Sequence, residues 1–230
     1  MTWKNFATSC SAWCTAAVTT EALSVLYADD ALVVLEKPAG LLSVPGRGEG
    51  KLDCLSTRVQ AVYADALVVH RLDMATSGLM LMARGKTPQR FLSRAFADRR
   101  IHKKYVALVC GVLAQPATPW GSIDLPIAVD WPNRPRRIIQ AAGGKSSVTR
   151  WRVLAGADLP FTRVELEPVT GRSHQLRVHM QAIGHSIAGD VLYEGASGLS
   201  AGRLLLHATE ISFIHPVSAR EMHFESRPEF

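Results

Sequence analysis

The chain has four cysteines in 230 residues, with no C-x-x-C pair and no Cys/His cluster of zinc-finger spacing. A disulfide-stapled secreted scaffold and a structural zinc module are therefore not expected. Cys10, Cys14, Cys54 and Cys110 read as buried or free thiols in a reducing compartment. No G-x-G-x-x-G or Walker pattern is present to cradle a nucleotide, and no G-x-S-x-G elbow supports a serine hydrolase. His70 with Asp73, and His174 with His179, match neither H-E-x-x-H nor a facial triad, so no metal ligand set is expected. Long apolar runs are also scarce at the N-terminus. The uncharged stretch 5–20 is shorter than the ~20 apolar residues of a spanning helix and is rich in Ser, Thr and Cys. With Lys4 as its only basic residue it is also a poor secretory signal. The expectation is a cytoplasmic protein with no membrane segment.

Hydrophobic residues make up 47% of the chain and charged residues 20%, a composition that excludes disordered and low-complexity classes. The length suffices for one generous core and is too short for two ordinary domains with linkers. Twenty-six Lys and Arg face 20 Asp and Glu, and the resulting charge of +6 suits a polyanionic partner without requiring one.

Residues 24–27 and 32–36 are apolar runs separated by Asp29-Asp30, which predicts a hairpin. Leu55, Val59 and Val62 at i, i+4 and i+7 predict a helix over 53–63, and Phe91, Ala95 and Phe96 predict another over 87–100. Short buried strands are expected at 67–70 and 79–83, joined by the loop 71–78, with Ser77 in the turn. Strand-like spacing recurs at 104–112, 136–140, 147–154, 161–166 and 204–214. His207, inside the last of these, reads as a hydrogen-bonded core residue. Between them, Leu176, Met180 and Ile183 form a helical stripe over 171–183, with Gly184 placed to end the helix. Hairpins are at least as frequent as βαβ units, so the expected class is α+β.

Four segments could carry chemistry. In His70-Arg71-Leu72-Asp73 a carboxylate leaves a buried strand on a loop, where it can be held rigidly at a cleft; an arbitrary Asp there more often caps a turn. In residues 170–179, His174 and Arg177 stand three apart on the predicted helix and can serve one site, although the segment alone would pass for a solvated basic face. An arginine fork can hold a carboxylate bidentately, ionised and aimed. Arg100, Lys103 and Lys104 lead into Tyr105, which suits phosphate contacts beside a stacking ring or, equally, an ordinary charged helix exit. Trp131, Arg134 and Arg136 combine an aromatic with guanidinium planes, the surfaces on which splayed RNA bases stack, or else form a surface loop whose tryptophan caps the core.

These segments are recognisable together. Residues 70–84, HRLDMATSGLMLMAR, resemble the catalytic motif of the RluA family of RNA pseudouridine synthases. The helix around TGRSHQLRVHM (170–180), the strand RLLLHA (203–208) and the loop KPAGLLSVPG (37–46) are similar to further motifs of that family, in its order. The loop DWPNRPR (130–136) resembles the branch that modifies both 23S rRNA and tRNA. The resemblance implies a pseudouridine synthase fold, a mixed and mainly antiparallel sheet with flanking helices and a central catalytic cleft. It implies Asp73 as the catalytic aspartate, Arg177 as its partner, Tyr105 stacked on the target uracil, and Arg71 entering the RNA helix where the flipped nucleotide was. Arg100, Lys103, Lys104, Trp131, Arg134, Arg136, Arg172 and His174 are then the candidate RNA contacts.

No cofactor is implied, because the reaction breaks one glycosidic bond and forms another carbon bond at the same sugar carbon with no redox change. Whether Asp73 attacks the sugar, adds to the ring or removes a sugar proton is left open by the residues; all three need an ionised carboxylate. Residues 24–230 are expected to form the catalytic domain and residues 1–23 an extension of unassigned role, too short for an S4 RNA-binding domain. The implied partners are the tRNA anticodon stem-loop and a stem-loop of 23S rRNA, bound by a monomer. The other readings are a related synthase specific for another rRNA site and a catalytically idle RNA-binding or RNA-folding protein; an idle relative has no need to keep Arg71, Asp73, Tyr105 and Arg177 together.

Overall fold

The computed structural model describes residues 23–46, 52–154, 160–193 and 201–230. The proposed extension 1–23, with Cys10 and Cys14, lies almost wholly outside them. Among the described residues, ten strands form one sheet and two more form a separate ribbon, accompanied by three helices. The fold is α+β, as expected. No helix among the described residues is long and apolar enough to cross a membrane.

The first hairpin joins β1 (Ser24–Ala28) to β2 (Leu32–Lys37). Its turn is held by Asp29, whose Oδ1 accepts the Ala31 and Leu32 amides at 2.8 and 2.9 Å. After α1 (Leu55–Val62) and β3 (Ala66–Val68) comes β4 (Ser77–Arg84), which is buried along nearly its whole length. The alternation of a strand explains why both of its faces are apolar. Leu79, Leu81 and Ala83 pack with Leu92 and Ala95 of α2 (Lys86–Ala97), whereas Met80 and Met82 pack with Leu55 and Val59 of α1.

The second half supplies β5 (His102–Cys110), β6 (Gly121–Asp124), the ribbon β7 (Ile127–Val129) and β8 (Arg137–Ile139), β9 (Val148–Val153), β10 (Phe161–Pro168), α3 (Gln175–Ala182), β11 (Leu206–Ile214) and β12 (Glu221–Glu225). The main sheet runs β1-β2-β4-β11-β5-β10-β9-β6, with β3 beside β4 and β12 beside β11. All its pairings are antiparallel except β4 with β11. Here α3 lays Leu176 and Met180 onto Ala107, Val109, Val164 and Leu166, a separate core on the other side of that parallel junction. Burying such side chains stabilises by about 1.5–3 kcal/mol each.

Several local expectations are corrected. Val62 is 65% exposed, because α1 ends directly after it and the last turn no longer faces the core. In α2 the buried positions are Leu92 and Ala95, with Phe91 and Phe96 only packed at the edge. Ser77 opens β4 instead of sitting in the turn. Helix α3 starts at Gln175, not Gly171, and Gly184 with φ +86° takes the left-handed place after its end. His207 is the core residue expected of it, 7% exposed between the Ser77 and Ser226 hydroxyls at 2.9 and 2.8 Å.

The parallel junction depends on one glycine. Gly78 pairs with Ala208 at φ +106°, and a Cβ on it would lie 2.3 Å from the Ala208 carbonyl oxygen and 2.6 Å from its nitrogen. Gly78→Ala should therefore destabilise the protein by about 3 kcal/mol through backbone strain and overlap. In a thermal melt that corresponds to a fall in Tm of roughly 6–12 °C; an unchanged Tm would show that β11 can retreat without cost.

Candidate active site

The loop that carries Asp73 leaves β3 and returns into β4, and the chain segment after β2 pins it from behind. Ser43 Oγ accepts the Leu72 amide at 3.1 Å and donates to the Leu72 carbonyl at 2.7 Å. On the other side of Asp73, the Met74 carbonyl accepts from the Gly40 amide at 2.9 Å and from Lys37 Nζ at 3.0 Å. Lys37 is 1% exposed and also donates to the Pro38 and Leu41 carbonyls at 2.7 and 2.8 Å. Burial pushes its pKa down to about 8, against the nearby Asp73 charge, which favours the ammonium. The motif KPAGLLSVPG is thus a clamp on the Asp73 loop, a role its sequence did not disclose.

The second clamp comes from α3. Arg177 is 4% exposed and its guanidinium reaches Asp73 Oδ2 through Nη1 at 3.3 Å. The sequence suggested an arginine fork around Asp73, but the fork is taken by Asp190: Nε donates to Oδ2 at 2.6 Å and Nη2 to Oδ1 at 2.7 Å. Burial opposes the charge on Arg177, and the Asp190 and Asp73 carboxylates outweigh it, holding its pKa above the ordinary value. Asp73, 29% exposed at its side chain, therefore faces a fixed cation and keeps access to the cleft.

His174 does not sit on the helix. It precedes α3 in the left-handed region, φ +57°, a backbone state uncommon for a residue with a side chain. From there its Nε2 lies 3.8 Å from Asp73 Oδ2 and its Nδ1 lies 2.7 Å from the hydroxyl of Tyr193. Burial lowers its pKa, partly countered by the Asp73 charge.

These groups line a cleft of ≈ 610 Å³ between α2 and α3, closed by Leu72 and Leu206 and flanked by Tyr105, Lys103, Arg71 and Arg172. Burial and the Asp73 charge raise the pKa of Tyr105, which keeps it a neutral phenol. Lys103 lies beside the Phe96 ring, 5.6 Å from its centroid, and burial lowers its pKa. Arg71 and Arg172 are exposed at the mouth.

Other candidates are placed elsewhere. Lys104 points to the opposite side of β5 and pairs with Glu210 at 2.7 Å and Glu165 at 3.9 Å. The two-residue period of a strand already forbids it from sharing a face with Lys103 and Tyr105. Arg100 is exposed and pairs with Asp98 at 3.2 Å; Arg99 lines the cleft instead. Trp131 is 66% exposed, so it caps no core, and Arg134 lies 4.7 Å over its ring. Arg136 approaches the ring of Tyr193 at 5.8 Å, and its buried Nε has no hydrogen-bond partner. Sequence reasoning missed Lys37, Ser43, Asp190 and Tyr193. Among the described residues no group of three His, Cys, Asp or Glu side chains could hold a metal ion.

Residues 31–182 match the family model described as RNA pseudouridylate synthase. The chain is 48% identical over 207 residues to the dual-specificity RNA pseudouridine synthase RluA of Yersinia pestis, covering 90% of this chain and 99% of that protein. It is 46% identical over 209 residues to the protein of the same name from Escherichia coli strain K12, covering 90% and 94%. Among solved structures, human RNA pseudouridylate synthase domain containing 1 superposes with a TM-score of 0.74 at 28% identity, over 91% of this chain and 85% of that one.

His70 gives the site a pH dependence that can be measured. Its Nε2 accepts the Leu81 amide at 2.9 Å and its ring stacks on Phe96 at 4.5 Å; burial, helped by Lys103, lowers its pKa to about 3. In the unfolded chain His70 takes up a proton near pH 6.5, so its contribution to stability is present above that pH and is lost as pH falls from 6.5 toward 3. Between pH 7 and pH 5 the loss should be about 1–2 kcal/mol. Urea unfolding of the protein and of His70→Gln at both pH values isolates it; parallel losses in the two would refute the assignment.

Proposed function

The chain belongs to the RNA pseudouridylate synthase family and forms pseudouridine in RNA, and from that premise we propose that Asp73 is the catalytic carboxylate and that the targets are the tRNA anticodon stem-loop and a stem-loop of 23S rRNA. The observation that supports this most is the position of Asp73. It lies on a loop pinned on both sides, open to the cleft, with one oxygen facing Arg177.

The proposed sequence of events follows from that geometry. The target uridine leaves its stack, at a cost of a few kcal/mol, and Arg71 at the mouth fills the vacated space. The uracil enters against Tyr105, while Leu72 and Leu206 exclude water that would otherwise trap the detached base and leave an abasic site. Arg177 keeps Asp73 aimed through the bond exchange at the sugar carbon. Lys103, Arg172 and His174 face the cleft and are placed to contact RNA there, and the exposed Trp131–Arg134 pair offers a stacking surface outside it. Arg100 and Lys104 are weaker as RNA contacts, since each already has a carboxylate partner. Residues 24–230 act as the catalytic domain, in the cytoplasm and as a monomer, with residues 1–23 as an extension.

Asp73→Asn should abolish pseudouridine formation, by at least about a thousandfold, while RNA affinity stays within a few-fold; a fully active variant would sink the assignment. Arg177→Met should inactivate as well, through loss of carboxylate positioning. For the substrate, pseudouridines should be mapped in total RNA from a deletion strain by carbodiimide-dependent reverse-transcription stops. Loss at one anticodon stem-loop position and one 23S position is expected, whereas loss confined to another rRNA site would select a different specificity.

A further inference from the structure

Tyr193 links parts of the molecule that the proposed chemistry leaves unconnected. It is 1% exposed, yet its hydroxyl makes two polar contacts: it accepts the backbone amide of Arg137 at 2.7 Å and lies 2.7 Å from His174 Nδ1. Its ring is approached by Arg177 at 5.0 Å and by Arg136 at 5.8 Å. The turn 130–136 and the carboxylate site thus meet at one side chain.

The donor count at that hydroxyl has a consequence. A phenol has one proton, and an amide N–H can only donate. With the Arg137 amide already directed at the oxygen, the phenolic proton is free to point at His174 Nδ1, and in that arrangement Nδ1 is the accepting nitrogen. The proton of a neutral ring would then sit on Nε2, the atom 3.8 Å from Asp73 Oδ2. Burial favours the neutral forms of both partners, lowering the pKa of His174 and raising that of Tyr193. The left-handed backbone at His174 is of the kind that persists only where surrounding contacts enforce it.

We propose that Tyr193 is a positioning residue that fixes His174 as the Nε2–H tautomer, presenting a hydrogen-bond donor toward Asp73 and the substrate, and that it registers this donor to the RNA-facing turn through the Arg137 amide. The proposal rests on the reading of Asp73 as the catalytic carboxylate. His174 acts by donating a hydrogen bond and does not change charge. Asp73, Arg177, Arg137 and Asp190 are the charged groups whose fields it feels.

The test is ¹⁵N-histidine NMR of the full chain, with the His174 signals assigned by their loss in His174→Gln, together with kinetics on a stem-loop RNA. The intact protein should show His174 neutral with the proton on Nε2. Tyr193→Phe keeps the ring between the two arginines and should release that tautomer and lower kcat by about tenfold, with RNA affinity within about twofold. His174→Gln, which can place an amide N–H near the Nε2 position, should retain more kcat than His174→Asn. A proton on Nδ1 in the intact protein overturns the proposal without any variant, as does a Tyr193→Phe protein that keeps the tautomer or keeps full kcat. The tautomer is read independently of activity, so failure of the Asp73 assignment, seen as an active Asp73→Asn, is distinguishable from failure of this one.

Discussion

Arg177 is a buried cation between two carboxylates, and the arrangement around it organises the cleft side of the molecule. Removing a guanidinium from water costs several kcal/mol, which is recovered only when its donors are well matched. Asp190 supplies the match. Its carboxylate is fully buried and binds the fork at 2.6 and 2.7 Å, while Oδ1 also accepts the Leu192 and Tyr193 amides at 3.0 and 3.2 Å. The guanidinium is thereby fixed before any substrate arrives. A further donor, on Nη1, reaches Asp73 Oδ2 at 3.3 Å and orients that carboxylate. A bidentate pair with Asp73 would have occupied both of its oxygens, whereas here one faces no guanidinium.

Fixing the cation is useful only if the carboxylate is equally fixed, and here a different part of the chain acts. Lys37, Gly40 and Ser43 hold the backbone on either side of Asp73 by bonds to Leu72 and Met74. Loops carry unpaired carbonyls that need partners when buried, and Lys37 satisfies three of them with one ammonium. The two clamps belong to separate cores, one tied to α1 through the Leu42 and Ser43 carbonyls and the other carried by α3. They meet where β4 runs parallel to β11, which is the approach that Gly78 permits. Distances at the site are therefore set by strand pairing across the junction, a stiffer reference than any loop.

This division explains what the sequence could and could not disclose. The α3 stripe, the first hairpin and the long strands are periodic, so spacing alone located them to within a few residues. The segments bearing Asp73, Arg177 and Tyr105 each admitted an ordinary structural reading alone; the family resemblance joined them, and the structure brings all three to one cleft. Asp190 and Tyr193 were not, since they stand in a turn and act on residues 13 to 56 positions away, with no local pattern to mark them. Lys37 looked like an ordinary strand-end lysine. The strands β6 and β12 are short and half exposed, so they lack the apolar signal that marks a central strand. Lys104 is the instructive error, because the signal was present: grouping it with Lys103 by adjacency ignored that neighbours on a strand face opposite ways.

The same distinction bears on the charge. A surplus of +6 is modest for an RNA-modifying protein if spread over the surface. Several cations away from the cleft are neutralised: Arg58 by Asp53, Arg84 by Asp65, Arg150 by Glu167, Arg152 by Glu165 and Lys104 by Glu210. Among the described residues Arg71, Arg99, Lys103 and Arg172, all lining the cleft, carry no ion pair. Low-dielectric walls focus the field of such groups into a concavity. These four cations are placed to draw a phosphate backbone toward the cleft that holds Asp73. A small net charge and a basic cleft are compatible because four unpaired cations are gathered in one concavity.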